Sequence, residues 1–231
     1  MFLPFGQEER DHESLLYIDF LTRIVKFTDF GKDPEDTLRK IREEFGKGSP
    51  VILPTDTVYG LAAPLNRPDA ISMIFDLKER PEGMTLPVAV ASVDAMKEVA
   101  CVDDQASRYI GERLPGPFTF VLESRIDENP YVVRSGTVAV RVVDHPLFPP
   151  LCRDVGPMAL TSANVHGRDP VMSTQEAEYF FERTDLLMVI DGSRLTGIPS
   201  TVIDLTGNVQ RTLREGKVNM ENGMGGNDGR G

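Results

Sequence analysis

Residues 51–90, VILPTDTVYGLAAPLNRPDAISMIFDLKERPEGMTLPVAV, decide how this chain folds. Val51, Ile52 and Leu53 form a short apolar run that Pro54 ends, which is the pattern of a buried strand. A polar turn follows, carrying the hydroxyls of Thr55, Thr57 and Tyr59. A helix comes next: Pro68 suits its first turn, and Ile71, Ile74 and Phe75 make one apolar stripe. Lys78 lies one turn beyond Ile74, and Arg80 precedes Pro81, which biases it to an extended conformation. Taken alone, Lys78 reads as complementing the negative end of the helix dipole and Arg80 as a solvated charge. Taken with the hydroxyls at the strand end, the two cations would suit an anionic, polar ligand.

Outward from this stretch, strands and helices alternate. Residues 23–30 (RIVKFTDF) predict a first strand, and Asp33-Pro34 starts a helix with Leu38, Ile41 and Phe45 at helical spacing. Gly46 and Gly48 close that helix. Residues 87–93 (PVAVASV) predict a buried strand, followed by helical segments at 94–99 and 104–113 and a strand at 118–122. In residues 137–143 (TVAVRVV), Val138, Val140 and Val142 share one face and Arg141 takes the other. An arginine in so apolar a strand needs a partner or a cleft. Residues 156–164 form a strand ending in small polar groups, and Ser173-Thr174-Gln175-Glu176 is a capping box opening a helix to Arg183. Residues 186–190 form a strand that breaks at Asp191-Gly192. Residues 199–205 and 209–214 read as paired strands turning at Gly207-Asn208.

This pattern predicts an α/β fold: a single domain with an open, twisted sheet of mixed parallel and antiparallel strands. The domain spans residues 23–217. Residues 1–22 form a polar, acidic N-terminal extension with one apolar patch at 15–18. The Gly/Asn-rich residues 218–231 are expected to be a disordered tail.

The 231 residues carry a net charge of −11, which argues against broad adhesion to nucleic acid but leaves room for a local phosphate pocket. Cys101 and Cys152 form no disulfide framework and read as small buried hydrophobes. No signal-peptide pattern and no run near the roughly 20 apolar residues of a membrane span occurs, so the expected compartment is the cytoplasm. The phosphate loop, the dinucleotide glycine motif and the nucleophile elbow are all absent. His12, His145 and His166 lack metal-ligand spacing, so no protein-held metal is expected. What remains are polar clusters at strand ends, where ligands of α/β sheets bind. They comprise Thr55 and Thr57, Lys78 and Arg80, Thr119, Arg141, residues 161–164, Ser200 with Thr201, and Arg214. Four cations with several hydroxyls would suit a nucleoside polyphosphate.

Six motifs then appear in a telling order: PTDTVYGLAA, LKERP, LPGPFTFVL, TVAVRV followed by DHP, TSANVHGRDP, and DG…STVIDLT…LREG. Together they resemble the YrdC/Sua5 family, in its short form and with actinobacterial-like variations, over residues 23–217. The resemblance implies an L-threonylcarbamoyladenylate synthase, a nucleotidyltransferase that condenses L-threonine, bicarbonate or CO₂, and ATP into threonylcarbamoyl-adenylate and pyrophosphate. Its product would feed a downstream threonylcarbamoyltransferase complex that modifies adenosine 37 of tRNAs reading ANN codons. The implied fold surrounds a concave basic cavity.

Motif by motif, the resemblance assigns catalytic and phosphate-neutralising roles to Lys78 and Arg80. It assigns ATP binding also to Thr119, Ser162, Asn164 and Arg214, and L-threonine binding to Thr57 and Ser200. Thr55, Tyr59 and Arg141 would line the cavity, and Mg²⁺ would arrive on the ATP phosphates. Such chemistry needs positioning and charge neutralisation more than a protein nucleophile. The sequence departs from the family's pattern at Met84, Ala89 and Glu123, where some members carry groups that help hold threonine. Two other readings share the resemblance: a non-catalytic YciO-like protein that binds tRNA or double-stranded RNA, and a carbamoyl-transfer module of the hydrogenase-maturation type. The intact KxR and SxN motifs favour the synthase over the first. The second belongs in longer chains with zinc-finger and acylphosphatase-like segments.

Overall fold

A computed structural model describes residues 26–216 apart from Glu82, Glu128, His166, residues 182–184, Asp191, residues 193–194 and Asn208. The N-terminal extension, the Gly/Asn-rich tail, His12, His166, and the predicted ends at Arg183, Asp191 and Asn208 lie outside the described residues. Among those described, eleven strands form one mixed sheet.

In chain order the strands are β1 (Lys26–Asp29), β2 (Val51–Leu53), β3 (Gly60–Pro64), β4 (Val88–Ala89), β5 (Phe118–Glu123), β6 (Val133–Arg134), β7 (Thr137–Arg141), β8 (Met158–Ser162), β9 (Leu187–Ile190), β10 (Thr201–Asp204) and β11 (Arg211–Arg214). The helices are α1 (Pro34–Gly46), α2 (Pro68–Lys78), α3 (Met96–Val99), α4 (Asp104–Gly111), α5 (Phe148–Val155) and α6 (Thr174–Phe181). Across the sheet the order is β1-β9-β2-β3-β8-β4-β7-β5-β10-β11, with β6 paired to β7. β9 inserts parallel to both β1 and β2, so a late strand closes the space between the first two.

The local signals act as their chemistry requires. Asp33 caps α1, accepting from the Asp36 amide at 3.0 Å, and Leu38, Ile41 and Phe45 are buried on one stripe. Ser173 Oγ accepts from the Glu176 amide at 3.2 Å, while the Glu176 carboxylate accepts from Met172 one residue earlier than a standard capping box would place it. Ile71 and Ile74 of α2 are fully buried, and each contributes about 1.5–3 kcal/mol of apolar burial.

Four features differ from the sequence expectations. Residues 60–64 (GLAAP) form β3, antiparallel to both β2 and β8, so antiparallel pairing begins in the first half of the chain. No β-branched residue or alternation marks this strand, because both of its faces are buried. Gly60 allows a close approach: a Cβ there would meet Leu160 Cδ1 at 2.7 Å and Thr161 O at 3.1 Å. β4 is shorter than expected, two residues of 87–93, and the two-residue β6 was unmarked. Cys101 is exposed, whereas Cys152 is buried in α5 as predicted.

Alternation sends the sheet's side chains into two apolar clusters. On one face, Val88, Phe120, Val138, Val140 and Ile203 pack with residues of α2, α3, α4 and α6. On the other, Val51, Leu53, Ala62, Ala89, Met158 and Leu187 pack with α1 and α5. That second cover stops short of β5, β7 and β10, and the uncovered part of the face becomes the floor of a cavity.

Candidate active site

The cavity holds about 230 Å³. Its floor comes from side chains that alternate with core residues: Thr119 between Phe118 and Phe120, Ala139 between Val138 and Val140, and Val202 beside Ile203. The site therefore lies on the open sheet face as well as at strand ends. Its rim carries Thr55 and Thr57 from the turn after β2, Ser162 at the end of β8, Ser200 before β10, and three guanidinium groups, Arg80, Arg141 and Arg214.

The turn after β2 folds around Thr55. Its Oγ1 donates to Val58 O at 2.6 Å, accepts from the Thr57 and Val58 amides at 3.1 Å each, and stands 2.9 Å from Thr57 Oγ1. Thr57 O in turn accepts from the amides of Thr196 and Gly197, which bind the strap after β9 to the turn. A second node forms at Ser200. Its Oγ stands 2.9 Å from Thr119 Oγ1, and Arg214 Nη2 donates to Ser200 O at 2.8 Å and to Ser200 Oγ at 3.2 Å. Gly216 donates to Thr201 Oγ1 at 3.1 Å and presses against the same backbone, where a Cβ would lie 2.1 Å from Pro199 O.

Arg141 satisfies both alternatives set by its strand. It lines the cavity, and its Nη2 donates to Asp56 Oδ1 at 2.7 Å. Both side chains are nearly buried, and Asp56 Oδ2 and Arg141 Nε have no hydrogen-bond partner. Burial lowers the Arg141 pKa, Asp56 opposes that, and Arg214 adds a smaller repulsion. Arg80 is half-buried, donates through Nη2 to Thr85 O at 2.7 Å, and keeps a buried Nε unpartnered. Burial lowers the pKa values of Arg80 and Arg214 as well. Arg80 owes its place to Glu79, which closes α2 at φ 49°, a left-handed position where glycine is the usual residue. It is not the solvated surface charge that its sequence position suggests.

Lys78, Asn164 and Tyr59 stand apart from the cavity lining. Lys78 is 2% exposed and its ammonium donates to Ser162 O, Asn164 Oδ1 and Asn164 O at 2.6, 2.7 and 2.9 Å. It is thus tied to the end of β8 and does not project past the end of α2. Burial and, secondarily, the nearby Arg80 charge pull its pKa down to about 7. Asn164 is 8% exposed behind Ser162, whose Oγ donates to Asn164 Oδ1 at 2.7 Å. Tyr59, which its motif had implied would line the cavity, is not among the lining residues; it is buried in the apolar cluster that also holds residues of α2. Sequence reasoning gave no role to Asp56 or to the floor residues Ala139 and Val202. Asp56 could have been found as the one acid in a hydroxyl turn facing a strand arginine. Ala89, one of the departures from the motif pattern, lies under α5 in the second cluster, and Glu123 is exposed at the end of β5.

The Sua5/YciO/YrdC family model, described as telomere recombination, matches residues 43–216. The chain belongs to the Sua5/YciO/YrdC family. A relative named threonylcarbamoyl-AMP synthase, from Serratia proteamaculans, is 34% identical over 164 residues, 68% of this chain and 86% of its own. The structure of Pyrococcus abyssi Sua5 complexed with L-threonine aligns at TM-score 0.71 and 30% identity, covering 84% of this chain. This chain spans 57% of that Sua5 chain's length. E. coli YciO aligns at TM-score 0.73 and 25% identity, covering 84% of this chain and 94% of its own. The family's open mixed sheet is the fold described above.

Among the described residues, no helix is long and apolar enough to cross a membrane, and no three His, Cys, Asp or Glu residues group as metal ligands.

Proposed function

We propose that this protein is an L-threonylcarbamoyladenylate synthase of tRNA modification. One observation carries the reading: three guanidinium groups, Arg80, Arg141 and Arg214, converge with the hydroxyls of Thr57, Thr119 and Ser200 on a single cavity. Such a set offers fixed positive charge for a polyphosphate and neutral hydrogen-bonding groups for a small hydroxy amino acid. Relatives named threonylcarbamoyl-AMP synthase, and a Sua5 structure complexed with L-threonine, support it.

In this reading the ammonium of L-threonine loses a proton to solvent, and the free amine attacks CO₂ and releases a second proton to give a carbamate. A carbamate oxygen then attacks the α-phosphorus of ATP, and pyrophosphate leaves. Thr57 and Ser200 orient the threonine. Arg80 and Arg214 hold and neutralise the phosphates, Arg141 lines the cavity paired with Asp56, and Thr119 fixes the Ser200 hydroxyl between floor and rim. Charge that develops on the transferring phosphoryl group meets guanidinium groups already in place, which is where such sites gain most of their rate. Mg²⁺ would enter with the substrate as MgATP. The adenylate would pass to a threonylcarbamoyltransferase acting on tRNA.

The test is incubation with ATP, bicarbonate and labelled L-threonine. Pyrophosphate release that requires both threonine and bicarbonate, together with labelled threonylcarbamoyl-adenylate, is the expected result. Pyrophosphate formed at the same rate without threonine overturns the reading, and no pyrophosphate at all overturns it in favour of a non-catalytic YciO-like role.

A further inference from the structure

Lys78 has no proton left for a ligand. An ammonium group carries three N–H donors, and here they meet three oxygens of one short segment: Ser162 O, Asn164 Oδ1 and Asn164 O. The segment is knitted further around the same point. Asn164 Nδ2 donates to Val165 O at 3.0 Å and Arg168 O at 2.6 Å, and the amides of Ala163 and Val171 bond to Tyr59 O and Ala163 O. Ser162 reaches the cavity, while Lys78 does not line it.

We propose that Lys78 is a positioning residue: it shapes the nucleotide site through the Ser162–Asn164 turn that it clamps, and does not itself bind a phosphate. The end of α2 thereby holds two cations with separate tasks. Arg80 faces the cavity, and Lys78 anchors the segment that carries Ser162 to it. The nucleotide part of this inference rests on the synthase reading; the clamping part does not.

Two measurements test it. The first compares binding of ATP and AMP by calorimetry at fixed ionic strength in the wild type, Lys78→Met, Asn164→Ala, the double variant and Arg80→Gln. A residue acting through the turn should weaken ATP and AMP by the same factor, of tenfold or more. Its effect should not add to that of Asn164→Ala. Arg80→Gln should weaken ATP at least tenfold more than AMP. If Lys78→Met costs ATP selectively, as Arg80→Gln does, or if its loss adds fully to that of Asn164→Ala, the proposal is wrong. Should Lys78→Met not fold, Lys78→Arg keeps the charge but cannot aim a planar fork at three converging acceptors. The same uniform loss is then expected, and retained ATP affinity overturns the proposal.

The second measurement needs no ligand. Amide hydrogen exchange in Lys78→Met should rise at least tenfold at Ala163, Arg168 and Val171 and stay unchanged at Ile71 in the middle of α2. Unaltered exchange in the turn rejects the clamp. If the wild type bound no nucleotide, the synthase reading would fall and this arm alone would decide the role of Lys78.

Discussion

Asp56 and Arg141 meet across 85 residues of chain, Oδ1 to Nη2 at 2.7 Å, with side chains 10% and 9% exposed. The pair joins the hydroxyl turn after β2 to the C-terminal end of β7, so this buried charge–charge contact, with the Thr196 and Gly197 amides on Thr57 O, fixes the turn's position over the cavity floor. Removing one partner of such a buried pair leaves an uncompensated charge, here beside the Arg214 guanidinium. Asp56→Ala should therefore lower stability by about 3–5 kcal/mol. Asp56→Ala combined with Arg141→Met should restore most of it. Urea unfolding of the three proteins measures this; a single variant within about 1 kcal/mol of wild type would mean that the pair behaves as a solvated one.

Lys78 should leave a mark on the pH dependence of stability. Its pKa falls from 10.5 to about 7 on folding, so between these values the unfolded chain holds a proton that the folded one lacks. Stability should rise with pH across that window, by up to about 1.4 kcal/mol per pH unit, and flatten below pH 7, where both states are protonated. Urea midpoints of wild type and Lys78→Met at pH 7.5 and 9.5 isolate the effect. Parallel pH profiles for the two proteins would show that the three acceptors hold the ammonium charged throughout.

Gly216 seats Ser200 by direct backbone contact. An alanine Cβ would lie 2.1 Å from Pro199 O and 2.5 Å from the Ser200 carbonyl carbon, so the strand entrance has to retreat. Gly216→Ala should cost about 1–3 kcal/mol, as overpacked sites do. It should also slow threonine-dependent pyrophosphate release tenfold or more under conditions where the variant stays folded. A folded variant with the wild-type rate would show that residues 199–201 can shift without disturbing the site.

The two cysteines should differ sharply in reactivity. Cys101 is exposed, while burial in α5 pushes the Cys152 thiol up to about 12. A thiol reagent at pH 8 should label one cysteine per chain at once and the second only after unfolding. Cys152→Ser should abolish the slow phase. Two fast equivalents in the native protein would contradict the packing of α5 on the sheet.

Much of this architecture was legible in the chain. The Asp33 cap, the stripes of α1 and α2, and the alternation of β7 each rest on neighbours within a few residues, and each took the form its pattern implied. β3 was not legible, because a strand buried on both faces and squeezed against β8 needs small residues, and GLAAP carries neither alternation nor β-branching. The contacts of Lys78 were hidden for a different reason. Its acceptors lie 84 and 86 residues downstream in a turn, so the local rule that places lysine at a helix end offers no hint of them. Cys101 failed through a base rate: free cysteines are mostly buried, and this one follows α3 at the surface.

The alternation along β5, β7 and β10 assigns recognition and folding to different residues of the same strands. Ala139 and Val202 can be exchanged while Val138, Val140 and Ile203 keep their places beneath them. The floor is thus open to stepwise redesign, for instance toward amino acids bulkier than threonine, whereas the nodes at Thr55 and Ser200 tie several elements together at once and leave little freedom to vary. On this scaffold, new specificity would arise from the middle of the strands, and its limits from their ends.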